Sequence, residues 1–416
     1  MQKTFKSLSY TQALEELLAN ATAPATSLSI PLDSAGGRVL NEDLISTANV
    51  PNANNSAMDG YAICAAAGTS SIPPATYTVM GKTLAGDKCA PQLQPGHALR
   101  IFTGASIPPG TTAVAMQEEC EEIFQNGIEF INVFSPLKEG SNIRLKGEDV
   151  KCGDKILSKG QQLRPQDIAA LASSGRDQVS TFAPLKVALV STGNELVRPP
   201  HPLKEGQIYD SNHYLLHALL STLPVEIIDL GILPDDTLVT QKALEKAAEE
   251  CDLVLSSGGA GQGEADLIGH VVQTLGSAQF WELAIKPGRP FMHGRIGNCD
   301  FLGLPGNPVA AMVSFLSFAR PFILKRSGVE EVSPTAHRVP AAFNWSRKRT
   351  GRREFLRGRL SIQSNGQTQV EKYKNDGSAL ISSLTYASGL IIIDEQTSQI
   401  HEGDLIEFIP FSAYGF

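Results

Sequence analysis

The strongest constraint on the fold lies between residues 185 and 326, where short apolar runs alternate with helical patterns. Lys186-Val-Ala-Leu-Val190 stops at Ser191-Thr-Gly193, and residues 226–230 form a second run. Residues 253–255 lead into Ser256-Ser-Gly-Gly259, and residues 301–304 lead into Pro305-Gly-Asn-Pro308. Helical patterns cover residues 210–223, 236–251 and 309–326. Asp210 is placed to cap the first, and Asp235 or Asp236 the second. Strands alternating with helices at this spacing predict an α/β domain with a parallel-type sheet and helices on both faces.

The rest of the 416-residue chain has a different texture, and its length suggests two to four domains. Residues 9–20 predict a helix, capped by Ser9 and with Ala13, Leu14, Leu17 and Leu18 on its apolar face. Residues 61–133 carry short β-type runs separated by Gly and Pro turns. Mixed structure returns over residues 140–178, where Pro165 opens a helix. The similar texture on either side of the β-rich segment predicts a discontinuous first domain, residues 1–50 and 140–182, with a β domain, residues 51–139, inserted into it. Residues 183–328 make the α/β domain. Residues 329–416 are again β-rich and predict a C-terminal β barrel.

The formal net charge is −8, which disfavours a nucleic-acid partner. The six cysteines show neither C-x-x-C spacing nor neighbouring histidines, so no zinc site or disulfide framework is expected. No signal-peptide core is visible, and no apolar run approaches membrane-spanning length. These features predict a soluble cytoplasmic protein with no membrane partner.

In a parallel sheet, ligands bind beyond the carboxyl ends of the strands. Loops 191–195, 256–266 and 303–308 are therefore expected to converge. Gly258, Gly259, Gly261 and Gly263 allow several N–H groups to turn toward one point, as in a phosphate cradle. The loop is neither a Walker loop nor a dinucleotide fingerprint. Lys286-Pro-Gly-Arg-Pro290 offers two cations, Lys286 and Arg289, on a stiff backbone. Acids fall at nearby loop positions: Glu195, Asp210, Asp235, Asp236 and Asp266, with Asp59 further away in sequence. Acids in a polyanion site call for a divalent cation or for proton handling. The basic run Arg347-Lys-Arg-Thr-Gly-Arg-Arg353 reads first as a solvated hairpin tip and second as part of an anion pocket.

Several long motifs lie in fixed order: Asn54-Asn-Ser-Ala-Met-Asp-Gly-Tyr-Ala62, Thr103-Gly-Ala105, Gly147-Glu-Asp149, Ser191-Thr-Gly-Asn-Glu-Leu196, Gly206-Gln-Ile-Tyr-Asp-Ser-Asn212, Ile285-Lys-Pro-Gly-Arg-Pro-Phe291 and Leu304-Pro-Gly-Asn-Pro308. Together they resemble the molybdopterin molybdenumtransferases, the bacterial MoeA family that shares its architecture with the gephyrin E domain. The resemblance covers nearly the whole chain. It implies a molybdopterin-binding α/β domain and a homodimer whose cleft takes Asp59 and Thr103 from the opposite subunit. It also implies a reaction in which molybdate enters adenylylated molybdopterin with release of AMP, aided by Mg²⁺, and partners among other molybdenum-cofactor biosynthesis proteins. By motif, Asp59, Glu195, Asp235, Asp266 and Lys286 take catalytic roles. Thr103, Asp149, Gly258, Gly259, Gly261, Gly263, Arg289, Pro305 and Pro308 take substrate-binding roles, and Glu195, Asp235 and Asp266 are the candidate magnesium ligands.

The sequence departs from the family pattern twice. Where the family reads G-G-V-S-[VM]-G, this chain reads Gly258-Gly-Ala-Gly-Gln-Gly263, with Gly261 in place of the serine and Gln262 in place of an apolar residue. Glu282 stands where a lysine is expected. Both departures adjoin the expected anion site. They admit a second reading: a catalytically weakened paralogue that binds or delivers molybdopterin or the finished cofactor.

Overall fold

The protein is described as a computed structural model for residues 5–24, 26–65, 71–260 and 267–416. Strand β1 (Phe5–Leu8) leads into helix α1 (Tyr10–Ala19). Ser9 Oγ accepts from the Gln12 N–H, and the Gln12 side chain accepts from the Ser9 N–H. Two otherwise unpaired donors of the first turn are thereby satisfied. Ala13 and Leu17 of α1 are fully buried.

After β2 (Ser27–Pro31) the chain enters a six-stranded sheet made of β3 (Gly60–Ile63), β4 (Ala75–Thr83), β5 (His97–Ile101), β6 (Ala113–Met116), β7 (Cys120–Gln125) and β8 (Ile128–Val133). The order is β7-β8-β4-β5-β3-β6, around a core that includes Tyr61, Ile63, Tyr77 and Ile131. The chain then returns through α2 (Pro165–Ser173) to β9 (Gln178–Phe182), which pairs antiparallel with β2. Leu32, Leu40, Leu44, Leu163 and Leu171 form a small core there.

The α/β unit follows: β10 (Leu185–Thr192), α3 (Ser211–Leu220), β11 (Val225–Leu233), α4 (Thr237–Glu250), β12 (Leu253–Ser257), α5 (Leu267–Leu275), β13 (Ser277–Leu283), β14 (Pro290–Ile296) and β15 (Cys299–Leu304). Its seven strands run in the order β1-β13-β14-β15-β12-β10-β11. Alternate residues of β10 feed two cores. Val187 and Leu189 pack with Leu216 and Leu219 of α3, whereas Ala188 and Val190 pack with Leu244 of α4 and Ile268 of α5. Helices therefore cover both faces, as expected from strands buried on both sides.

Two features of this sheet refine the sequence-based expectation. The parallel arrangement holds for β15, β12, β10 and β11, but β14 runs antiparallel to both β13 and β15. No crossover helix separates β13 from β14, so their short connection can only make them antiparallel. The chain's first strand, β1, also adds to this sheet, parallel to β13. Residues 5–19 thus pack with the α/β unit, and Leu17 shares a core with Val187 and Phe318.

The long helical run divides into α6 (Pro308–Ser314), a π-helical turn (Phe315–Ala319) and α7 (Arg320–Arg326). At 19 residues and mean hydropathy 1.3, Pro308–Arg326 is long and apolar enough to span a membrane, contrary to the expectation that no run reaches that length. It is a core helix, 83% buried within the protein, and Val309, Phe315, Phe318 and Phe322 are at most 1% exposed.

The C-terminal unit comprises β16 (His337–Pro340), β17 (Arg353–Ile362), β18 (Thr368–Lys372), α8 (Ile381–Tyr386), β19 (Gly389–Ile393) and β20 (Leu405–Pro410). β18-β17-β19-β20-β16 pair in turn, and an Ala341–Val370 bridge joins the two ends into a small barrel. The barrel is tied to the α/β unit by a two-residue parallel seam, Ile285–Lys286 against Arg353–Glu354.

Candidate active site

The loops after β10, β11, β12 and β15 open onto one cavity of about 630 Å³. They deliver Thr192 and Glu195, Asp235, Gly258 and Gly259, and Pro305 and Asn307, while Lys286 enters from the short extended segment before β14. This is the crevice at the carboxyl ends of the strands where open α/β sheets bind ligands. Pro308 lies on an adjoining pocket, not on the cavity itself.

Gly258 and Gly259 have φ of +92° and +88°, a region that favours glycine. The Gly258 N–H donates to the Leu304 carbonyl at 3.1 Å, so it is not available to an anion. The Gly258 carbonyl accepts from Ser256 Oγ at 2.9 Å. Gly261, Gly263 and Asp266, together with Gln262, lie outside the described residues.

The acids divide by role. Asp236 caps α4, accepting from the N–H groups of Leu238 and Val239, both at 2.9 Å. Asp210 caps α3 through the His213 N–H. Asp235 is left to the cavity. The Asn194 N–H donates to Asp235 Oδ2 at 3.3 Å and the Asp235 N–H to Asn194 Oδ1 at 3.2 Å, which fastens two strand-end loops together. Glu195 lies beside this clamp. Gly193 has φ +138°, which favours glycine, and a Cβ there would sit 2.4 Å from Glu195 Oε2, so a larger residue would displace the carboxylate. Glu195 and Asp235 are exposed hard-oxygen donors on one cavity wall, a set that suits a magnesium ion. Among the described residues no three His, Cys, Asp or Glu side chains cluster for a metal.

Lys286 Nζ lies 3.1 Å from Glu354 Oε2, and Arg347 Nη1 lies 3.5 Å from the other oxygen of the same buried carboxylate. The basic run is therefore partly structural. Arg347 also donates to the carbonyls of Arg352 and Asp394, and Arg353 pairs with Glu395 and stacks over Tyr10, while Lys348, Arg349 and Arg352 are exposed. Arg289 does not line the cavity. Its guanidinium is held by Glu282, the residue that departs from the family pattern, at 2.7 Å.

Sequence reasoning missed two residues that the C-terminal unit contributes. Asp376 and Ser378 also line the cavity. The Ser378 carbonyl accepts the Val309 N–H, and its hydroxyl accepts from Asn307 Nδ2 at 3.1 Å. The signal was the turn-forming stretch Asn375-Asp-Gly-Ser378 between two β runs.

Asp59, Thr103 and Asp149 do not line this cavity. The N–H and hydroxyl of Thr103 donate to Asp59 Oδ1 at 2.8 and 2.7 Å. These two bonds, with the more distant Arg100 guanidinium, hold the Asp59 carboxyl below its ordinary range. Gly60 fixes the neighbouring backbone, since a Cβ there would lie 1.9 Å from the Ala115 carbonyl oxygen. The Asp149 N–H donates to the Val50 carbonyl at 3.1 Å.

Comparison with known proteins matches this architecture segment by segment. The MoeA N-terminal region (domain I and II) matches residues 8–175, the "Probable molybdopterin binding domain" matches residues 188–325, and the MoeA C-terminal region (domain IV) matches residues 338–411. The molybdopterin molybdenumtransferase of Haemophilus influenzae is 39% identical over 405 residues, covering 97% of this chain and 99% of its own. Molybdopterin molybdenumtransferase 2 of Mycobacterium tuberculosis is 31% identical over 408 residues, covering 95% and 98%. The crystal structure of a molybdopterin biosynthesis MoeA protein from Pyrococcus horikoshii superposes with a TM-score of 0.82 at 30% identity, covering 97% of this chain and 100% of that one. The chain therefore belongs to the MoeA family of molybdopterin molybdenumtransferases, proteins of molybdenum-cofactor biosynthesis.

Proposed function

We propose that the protein inserts molybdate into adenylylated molybdopterin and releases AMP. The observation that carries this reading is the meeting of Lys286 with Glu195 and Asp235 on one cavity at the strand ends. The ammonium of Lys286 compensates the charge that develops on the phosphate as a water molecule adds to phosphorus and the bridging P–O bond of the phosphoanhydride breaks, and its placement before the reaction makes that compensation effective. Glu195 and Asp235 accept and return protons while the dithiolene sulfurs replace oxygens on molybdate, those oxygens leaving as water. A divalent cation held by the same two carboxylates would screen the pyrophosphate charge. The chain contributes no covalent nucleophile to this scheme.

The active unit in this reading is a homodimer. Asp59 and Thr103 sit in loops beside strands β3 and β5 of the inserted sheet, apart from the cavity of their own chain, and would complete the cavity of the partner. Large apolar side chains on the same unit, Met80 at 61% exposure and Phe124 at 72%, offer surface for association. All six cysteines are free thiols, which suits a reducing, cytoplasmic setting.

A second reading, a module that binds or delivers the pterin, is favoured by one observation: Glu282 neutralises Arg289 beside the site. Incubation with adenylylated molybdopterin, molybdate and Mg²⁺ separates the two. AMP together with molybdenum-loaded pterin supports the transferase. Tight pterin binding without AMP supports the module.

A further inference from the structure

We propose that the pocket beside the cavity reads the 2-amino-4-oxo edge of the pterin ring through Asp210 and Asn212. This inference rests on the pterin substrate proposed above. The pocket has a volume of about 360 Å³ and is continuous with the cavity, since Thr192, Glu195, Gly258, Gly306 and Asn307 line both. Asp210 and Asn212 line only the pocket, and they are 2% and 7% exposed.

Each side chain is fixed by one end and unpartnered at the other. Asp210 Oδ1 accepts the His213 N–H at 3.1 Å, whereas Asp210 Oδ2 has no partner among the described residues. Asn212 Nδ2 donates to Ser257 Oγ at 2.9 Å and to the Gly306 carbonyl at 2.7 Å. A carbonyl only accepts, so the amide cannot be turned around, and Asn212 Oδ1 is left without a partner. Two buried acceptors without donors are costly, and native proteins rarely tolerate such groups unless a ligand or water satisfies them.

The chemistry of these two oxygens restricts the ligand group. Neither can hold a phosphate, so the anionic end of the substrate stays in the cavity with Lys286. The pocket calls for N–H donors. A pterin presents a ring N–H and an amino group side by side on its pyrimidine edge. An adenine presents one amino group flanked by ring nitrogens that accept. The pterin therefore offers each oxygen its own donor nitrogen, whereas the adenine would have to serve both from one amino nitrogen. In the proposed complex cap and ligand contact share the same carboxylate: Oδ1 holds the helix end, and Oδ2, which has no partner among the described residues, takes the substrate donor.

The test uses 6-hydroxymethylpterin phosphate and the matching lumazine, in which a 2-oxo group replaces the 2-amino group. Fluorescence titrations of wild type, Asp210→Asn and Asp210→Ser are compared, with AMP binding measured alongside. Asparagine and serine both cap helices, so α3 keeps its start in either variant. Wild type is expected to prefer the pterin by at least about tenfold, and both variants to retain a preference of about threefold or less with AMP affinity within about twofold of wild type. A preference undiminished in both variants, or equal binding of pterin and lumazine by wild type, overturns the assignment. Wild type that binds neither the pterin nor AMP overturns the transferase reading itself, and the pocket's role with it.

Discussion

Glu354 of the barrel holds Lys286 of the α/β unit, carboxylate oxygen to ammonium, at 3.1 Å across the seam between the two domains. Glu354 is 5% exposed and also faces Arg347, so its charge is well compensated. Lys286 is half-exposed and keeps its remaining hydrogens for the cavity. Glu354 is thus a positioning residue. Glu354→Gln is expected to lower kcat for AMP formation by about tenfold while KM for the adenylylated pterin stays level or falls, because an unpaired Lys286 binds the ground state at least as well but no longer in the reacting geometry. Steady-state AMP release measures both constants. An unchanged kcat would remove Glu354 from the mechanism.

The Glu282–Arg289 pair acts in the opposite sense, withdrawing a cation from the neighbourhood of the cavity. Glu282→Gln should tighten pyrophosphate binding by about threefold to tenfold at low salt, with the gain shrinking as ionic strength rises. Calorimetry at two salt concentrations reads the effect. A gain indifferent to salt would point to altered packing and not to released charge.

The proposed dimer has a direct genetic signature. Asp59→Ala and Lys286→Ala proteins should each be inactive alone. Mixed with subunit exchange verified, they should regain part of wild-type activity, because one of the two clefts in a heterodimer carries both native residues. No recovery would count against a cleft shared between subunits.

Acid stability supplies a further check. Arg198 Nη1 and Nη2 donate to the two oxygens of Asp229 at 2.6 and 2.9 Å. Mainly through these bonds the Asp229 carboxyl is pulled down to about 2. The unfolded chain would titrate near about 3.9. A carboxyl depressed in the fold contributes stability that is complete above the unfolded value and is lost as pH falls toward the folded one. The gap in urea midpoint between wild type and Asp229→Asn should therefore be widest above about pH 5 and close toward about pH 2. A gap constant across that range would mean that the pairing contributes through geometry and not through charge.

Much of this was legible in the sequence because local signals agreed with the tertiary fold. Ser9 caps α1, Asp236 caps α4, and the loops after β10, β12 and β15 meet as their composition predicts. The hidden parts have a common cause. β13 and β14 are short apolar runs without a clear period, such as Phe280, Trp281 and Leu283, and such runs do not distinguish strand from buried helix. β1 belongs to a sheet whose other strands begin more than 170 residues later, a pairing no local pattern reports. Asp376 and Ser378 reach the cavity only because the barrel docks there. Asp210 looked like a simple helix cap, and its second oxygen became visible only with burial.

The two-residue seam also bears on which changes the chain can accept. Ile285 pairs with Arg353 and Lys286 with Glu354, and the Arg353 N–H donates to the Ala284 carbonyl at 2.9 Å. Successive residues of an extended segment point to opposite sides. One residue inserted or deleted between 284 and 286 would turn the lysine away from the cavity and put its neighbour against Glu354. Substitution can leave such a stretch workable, whereas a change of length cannot, so among related chains the spacing here should drift less than the side chains themselves.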